Sequence, residues 1–241
     1  MPHLEPWQWM LGALCAFFVG IAKTGTPGVG LLTVPLFVFA VGDSRLSAAW
    51  AAPILVVGDV FAVWYWHRHA DAATLFALIP SVAVGMILGG FALSIDDAIL
   101  RRLLGVMVLG MLGLTVFRRR YPTAEPGGHR TLYGVVAGFA TTLANAAGPV
   151  MASYLLLQRM PKERLVATGA WFFLTVNLTK LPIYAVRGLL SRQSFTFDAL
   201  LAPIVILGAF VGLRVLKSLS QRVFDVLTLT LSALAALALF R

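Results

Sequence analysis

The chain has 241 residues, of which 59% are hydrophobic and only 12% charged, with a mean hydropathy of +0.88 and a formal net charge of +9. So little polar surface cannot cover a soluble domain of this size, and continuously apolar runs exclude an outer-membrane barrel, whose strands alternate in polarity. The positive charge falls in short clusters between the apolar runs, such as Arg118, Arg119 and Arg120 or Arg159, Lys162 and Arg164, which is the pattern of basic inter-helix loops and not of a nucleic-acid surface.

The N-terminal stretch from Met1 to Trp9 has no basic region ahead of its apolar run, so a cleaved signal peptide is not expected, and Trp7 and Trp9 read as interfacial anchors. Apolar segments follow at 7–22, 29–41, 46–66, 72–93 and 99–117, and after a Pro/Gly-rich link a second set runs at 132–145, 149–158, 165–186, 197–213 and 222–240. Crossing the hydrocarbon core takes about 20 residues, so the third to fifth segments of each set are of spanning length and the first two are short. This divides the chain into a first membrane repeat at 1–120, an inter-repeat loop at 121–131 and a second membrane repeat at 132–241.

Between the two short segments of each set lies a stretch broken by glycine and proline. The first runs Gly20-Ile-Ala-Lys-Thr-Gly-Thr-Pro-Gly-Val-Gly30 and the second Gly138-Phe-Ala-Thr-Thr-Leu-Ala-Asn-Ala-Ala-Gly148, with Gly20 matching Gly138 and Gly30 matching Gly148 at one spacing of 118 residues. Broken apolar segments in matching positions of two halves point to a transporter's binding site near the bilayer midplane. A second signature repeats as well: Pro80, Gly85 and Gly89 recur as Pro203, Gly208 and Gly212, with a small insertion near 189–193. Small residues four apart let helices approach closely.

Each repeat crosses the membrane an odd number of times, three if its broken pair is a hairpin and five if both segments span, so the two repeats are expected to be inverted relative to each other. Eleven Lys and Arg then collect on the side of Arg68, Arg130 and Lys162 against six on the other, which makes the first side cytoplasmic and leaves both termini periplasmic. Reading each broken pair as one kinked helix would change that parity. The expected architecture is thus all-α: a polytopic helical membrane protein of two inverted-topology repeats, each with a Gly/Pro-broken helix pair plus three spanning helices.

Chemistry is expected where polar residues interrupt this apolar sequence. Lys23 falls in the first break, and intramembrane ionisable groups usually face a cavity or pathway; the alternative is a lysine that snorkels to the interface. Helix starts after a break offer N–H groups and a dipole to anions. There Gly25, Gly28 and Gly30 permit close approach of backbone, and Thr24 and Thr26 add hydroxyls. The second break contributes Thr141, Asn145 and Gly148 ahead of Pro149, which suits a first helical turn. Further on, Asn177 and Lys180 share a helix face, with Pro182 expected to kink or loosen the helix beyond.

Two deep lysines and almost no deep acid favour an anionic substrate. The exception, Asp59, either balances a lysine or carries a proton. Asp43, Asp71, Asp96, Asp97, Asp198 and Asp225 fall at loops or segment ends and are expected to be solvated. His67-Arg68-His69 reads as an interfacial belt, since histidines two apart do not share a helix face. Neither a metal site nor a cofactor is expected, Cys15 stands alone, and no HExxH, GxSxG or phosphate loop supports an enzyme.

Several of these motifs resemble the sulfite exporter TauE/SafE family, also called the 4-toluenesulfonate uptake permease family: Gly20 to Gly30 followed by Val34-Pro35, Asn145-Ala-Ala-Gly-Pro149, and Thr168-Gly-Ala-Trp-Phe-Phe173. Many members carry three glycines in each break, whereas this chain has Pro27-Gly28-Val29-Gly30 and Ala146-Ala147-Gly148-Pro149 and adds Lys23. The resemblance implies a secondary transporter that moves a small sulfur oxyanion, sulfite or an organosulfonate, across the bacterial inner membrane. An anion channel, a carrier of another small carboxylate or oxyanion, and a membrane scaffold remain as alternatives. The expected partners are the substrate and the lipid bilayer, with a homo-oligomer allowed and nucleic acid excluded.

Overall fold

A computed structural model describes residues 5–25, 29–30, 33–41, 44–92, 97–120 and 130–238. The described residues form ten α-helices: α1 (Pro6–Thr24), α2 (Thr33–Val41), α3 (Ser44–Trp66), α4 (Ala72–Ala92), α5 (Asp97–Arg120), α6 (Arg130–Ala144), α7 (Ala147–Leu157), α8 (Lys162–Val186), α9 (Arg192–Ser218) and α10 (Gln221–Ala238), with a 3-10 turn at His67–His69. This is a polytopic helical membrane fold. Among the described residues, Leu46–His69, Ala72–Ala92 and Arg192–Ser218 are long and apolar enough to cross a bilayer. Its outer surface is correspondingly greasy: Phe76, Ile87 and Phe91 on α4 and Leu207 and Phe210 on α9 are exposed, which water would penalise and lipid would not.

Two close seams organise the bundle. α1 packs most extensively on α9 and α6 on α4, so the first helix of each half lies against the fourth helix of the other. A Cβ on Gly20 would sit 2.0 Å from the Val205 carbonyl oxygen, and one on Gly208 2.1 Å from that of Phe17. In the other seam, a Cβ on Gly138 would sit 2.1 Å from the Val82 carbonyl oxygen, and one on Gly85 2.1 Å from that of Val135. The two glycine signatures therefore pack on one another, backbone to backbone, as small residues do at membrane helix interfaces.

This corrects the reading of the first break. α1 runs through Gly20 and Lys23 to Thr24, because Ala22 and Lys23 are good helix formers and the Thr24 hydroxyl donates back to the Gly20 carbonyl (3.1 Å). Gly20 and Gly138 are seam glycines, and Lys23 stands in the last helical turn.

Three further expectations change. α9 begins at Arg192, a turn earlier than the apolar pattern suggests, because Ser191 and Ser194 form a capping box, with the Ser194 N–H donating to Ser191 Oγ at 3.1 Å. Asp198 is thereby drawn inside the helix, buried, with neither carboxylate oxygen hydrogen-bonded among the described residues. Trp7 is exposed, but Trp9 turns inward onto Phe197, ring centroids 4.9 Å apart. α8 ends at Val186, where the apolar segment at 165–186 ends, with Pro182 inside it, and closes at Gly188, whose φ of +67° suits glycine. Asp43 and Asp96 lie outside the described residues.

Asp71 is not simply solvated either. Its carboxylate accepts from the Thr74 N–H (3.2 Å) and from Arg164 (2.9 Å), tying the α3–α4 connection to the start of α8. Burial pushes this carboxyl up, but the Thr74 hydrogen bond and the Arg164 guanidinium outweigh it and hold the group below the usual carboxylate range. A depressed carboxyl stabilises the fold above its unfolded pKa, and that stability is lost as pH falls through the folded value. Arg164 is half exposed, so Arg164→Ala is expected to cost at most about 1 kcal/mol near neutrality. Thermal unfolding in detergent should show that difference fading in acid.

Candidate functional site

The buried polar residues converge where α3 crosses α8. On α8, Phe173, Asn177 and Lys180 follow one another at four- and three-residue spacing and so share a face. α3 brings Asp59 against that face, the end of α1 brings Lys23, α6 brings Thr141, and the α6–α7 junction brings Asn145. Asp59, Asn177, Thr141 and Lys180 are all at most 2% exposed.

Two linked networks result. In the first, Lys23 Nζ lies 2.6 Å from Asp59 Oδ1, and Asn177 Nδ2 donates to Asp59 Oδ2 at 2.6 Å. Asp59 and Asn177 are themselves 118 residues apart, so residues at matching positions of the two halves meet face to face. The Lys23 ammonium also stands over the Phe173 ring at 4.6 Å, a cation–π contact. Its stem passes over Gly58, where a Cβ would come within 2.9 Å of Lys23 Cγ.

In the second network, Lys180 donates to Thr141 Oγ1 (3.0 Å), to the Thr141 carbonyl (3.4 Å) and to Asn145 Oδ1. All three acceptors are neutral, and among the described residues no carboxylate forms an ion pair with Lys180. Lys23 and Thr141 are again 118 positions apart. The two halves thus place a lysine and a threonine at matching positions, one bound to Asp59 and the other to Lys180.

Asn145 holds the junction. Its φ of +53° lies in the left-handed region, which asparagine tolerates better than most residues. Its amide donates to the Ala48 carbonyl at 3.0 Å while its oxygen faces Lys180. α7 starts at once, with no side chain capping it and with Pro149 in the first turn. The N–H groups of such a turn have no partner within the helix. Asn145→Gly keeps the backbone free and removes the side chain, whereas Asn145→Ala also strains φ. Both are expected to weaken anion binding equally, and Ala to cost about 1 kcal/mol more stability than Gly, read as a lower melting temperature.

A cavity of about 80 Å³ opens between these groups, lined by Lys23, Gly30, Thr141, Asn145, Gly148 and Asn177 on its polar side. Since one water needs roughly 10–15 Å³, this is room for a small ion and not for a polymer. Apolar side chains such as Met151, Leu155 and Phe173 form the rest of the wall, which strengthens every charge interaction inside.

The expected ligand set is therefore divided. Lys180 touches the cavity only through Thr141 and Asn145, standing directly behind them. Thr24 and Gly25 are not brought to the cavity: the Thr24 hydroxyl donates to the Ala209 carbonyl at 2.7 Å, and a Cβ on Gly25 would meet the Gly212 carbonyl at 2.6 Å, so both belong to the α1–α9 seam. Thr26 and Gly28 lie outside the described residues. The sequence reading missed Phe173, although its place one turn before Asn177 is a signal for the same face.

Around His67–His69 the described residues contain no cluster of metal-binding type; the His69 ring packs on Trp66, centroids 5.5 Å apart. A family model described as Sulfite exporter TauE/SafE matches residues 12–239. No curated protein and no solved structure matches the chain.

Proposed function

We propose a function from one premise: this chain belongs to the sulfite exporter TauE/SafE family. As a helical membrane protein of a transporter family, it is read here as a secondary transporter that moves a small sulfur oxyanion, sulfite or a small organosulfonate, across the bacterial inner membrane. The observation that carries this reading is the cavity and its charge. Among the described residues Lys23 and Lys180 are opposed by Asp59 alone, so the site bears one formal net positive charge among polar hydrogen-bond donors. A buried cation without a counter-ion is costly, and an anion relieves that cost.

In the bound state the oxyanion lies between Lys23, Thr141 and Asn145, with the first N–H groups of α7 directed at it and Lys180 adding charge from behind. Alternating access would arise from one repeat rocking against the other. The reciprocal seams, α1 on α9 and α6 on α4, support two inverted repeats that exchange their first helices. The count of basic residues supports periplasmic termini.

Flux into proteoliposomes tests the reading. Labelled sulfite or methanesulfonate is expected to enter, and internal substrate is expected to accelerate that entry by counterflow. Flux without counterflow, carried as single-channel current, would establish an anion channel instead. Absence of anion flux in either form would overturn the proposal.

A further inference from the structure

We propose that Asp59 sets the charge of the transported species, making the site selective for monovalent over divalent oxyanions. This rests on the anion-transport reading above and names its substrate class. The ionisable groups in the lining or directly bonded to it are Lys23, Asp59 and Lys180 among the described residues. Two cations and one carboxylate leave one positive charge, which a monoanion neutralises and a dianion exceeds.

Among the described residues, nothing else in the surroundings absorbs that excess. α1 faces Asp59 with Lys23, and α8 faces it with Asn177 and Lys180. α9 meets α3 at this level through Val205, which lies beside Gly58. α2 contains no charged residue, and α6 only Arg130 at its far end. Asp59 itself is wholly buried, so water does not screen it. In such surroundings an uncompensated charge is expensive.

A dianion therefore enters only with a proton, and Asp59 is the group placed to take it. Protonation of the carboxylate releases Lys23 from its ion pair to face the dianion, while Lys180 adds its charge from behind Thr141 and Asn145, and neutrality is restored. Near neutral pH sulfite is a mixture of its monovalent and divalent forms. Of these, hydrogensulfite binds without proton exchange, while the dianion binds with uptake of one proton.

Methanesulfonate and sulfate are close in shape, differ by one charge and do not change protonation near neutral pH, which makes them suitable probes of the intact protein. The wild type is expected to bind methanesulfonate more tightly than sulfate by on the order of 10-fold or more. Asp59→Asn raises the site's charge by one, and is expected to erase or invert that preference. A second reading needs no variant: in weakly buffered solution, sulfate binding to the wild type is expected to take up protons and methanesulfonate binding none.

A folded Asp59→Asn protein with the wild-type preference would overturn the inference. So would wild type that binds both probes equally without proton uptake. If neither probe binds wild type at all, the anion-site reading falls, and this inference with it.

Discussion

Lys180→Met is expected to lower anion affinity and flux by on the order of 100-fold while leaving the protein as stable as the wild type or more so. The two effects come from the same burial. Lys180 is 1% exposed, and among the described residues its ammonium has three neutral acceptors and no carboxylate partner. Taking an ammonium out of water costs several kcal/mol, which neutral hydrogen bonds repay only in part. Methionine has a similar length and no charge, so the fold gains from the exchange. The site loses its uncompensated cation and becomes neutral, with Lys23 and Asp59 cancelling. Losing a buried charge opposite a bound ion costs about 3 kcal/mol, hence the two decades. Binding by calorimetry and melting in detergent read the two effects separately. A variant that melts far below wild type and still binds would show Lys180 to be structural.

Gly20→Ala and Gly138→Ala, like alanine at Gly85 and Gly208, are expected to be among the most damaging small changes at the described residues. The added methyl at Gly20 would stand 2.0 Å from one backbone atom of α9 and 2.5 Å from another, and at Gly138 2.1 Å and 2.9 Å from backbone atoms of α4. Backbone cannot swing aside as a flexible side chain does, so two long helices must part. Overpacking a tight interface costs about 3 kcal/mol, and more where relaxation is blocked. Leucine at either position is expected to abolish recovery of folded protein. Gly90, Gly110 and Gly113 serve as controls on the same kinds of helix: nothing lies within 4 Å of a Cβ there. Alanine at those positions is expected to be neutral or to stabilise by up to about 1 kcal/mol. Equal yields for the seam and control variants would refute the packing argument.

These two cases show how far the sequence alone reaches. The spacing of Gly20 with Gly138, and of Gly85 with Gly208, is visible without coordinates, as is the run of apolar segments that makes the chain a membrane protein. What the glycines do is not visible, because a glycine that breaks a helix and one that lets another helix approach look alike in one dimension. Only the partner backbone, 185 residues away in the case of Thr24 and Ala209, tells them apart. Asp59 and Asn177 stand out in the sequence by residue type and by their equivalent depth in the two halves; their contact depends on the crossing of α3 and α8, which no local pattern encodes. Asp198, expected to be solvated at a segment end, is buried for a local reason. A serine capping box extended α9 beyond its apolar pattern and carried a carboxylate inside.

The matching positions also show what differs between the halves. Lys23 and Asp59 correspond to Thr141 and Asn177, so the charged pair of one half has a neutral counterpart in the other. Lys180 then restores a cation beside the neutral pair. Matching sequence positions thereby surround a site whose charge is not symmetric, which suits the binding of one anion in one place.

Where that anion sits is the central claim, and anomalous diffraction from crystals soaked with bromomethanesulfonate tests it most directly. The account predicts one bromine peak inside the α3–α8 cavity, with the sulfonate oxygens about 2.7–3.2 Å from Lys23 Nζ and the first N–H groups of α7. A peak confined to the basic loops near Arg68 and Arg164, with the cavity empty in a protein that transports the same anion, would contradict it.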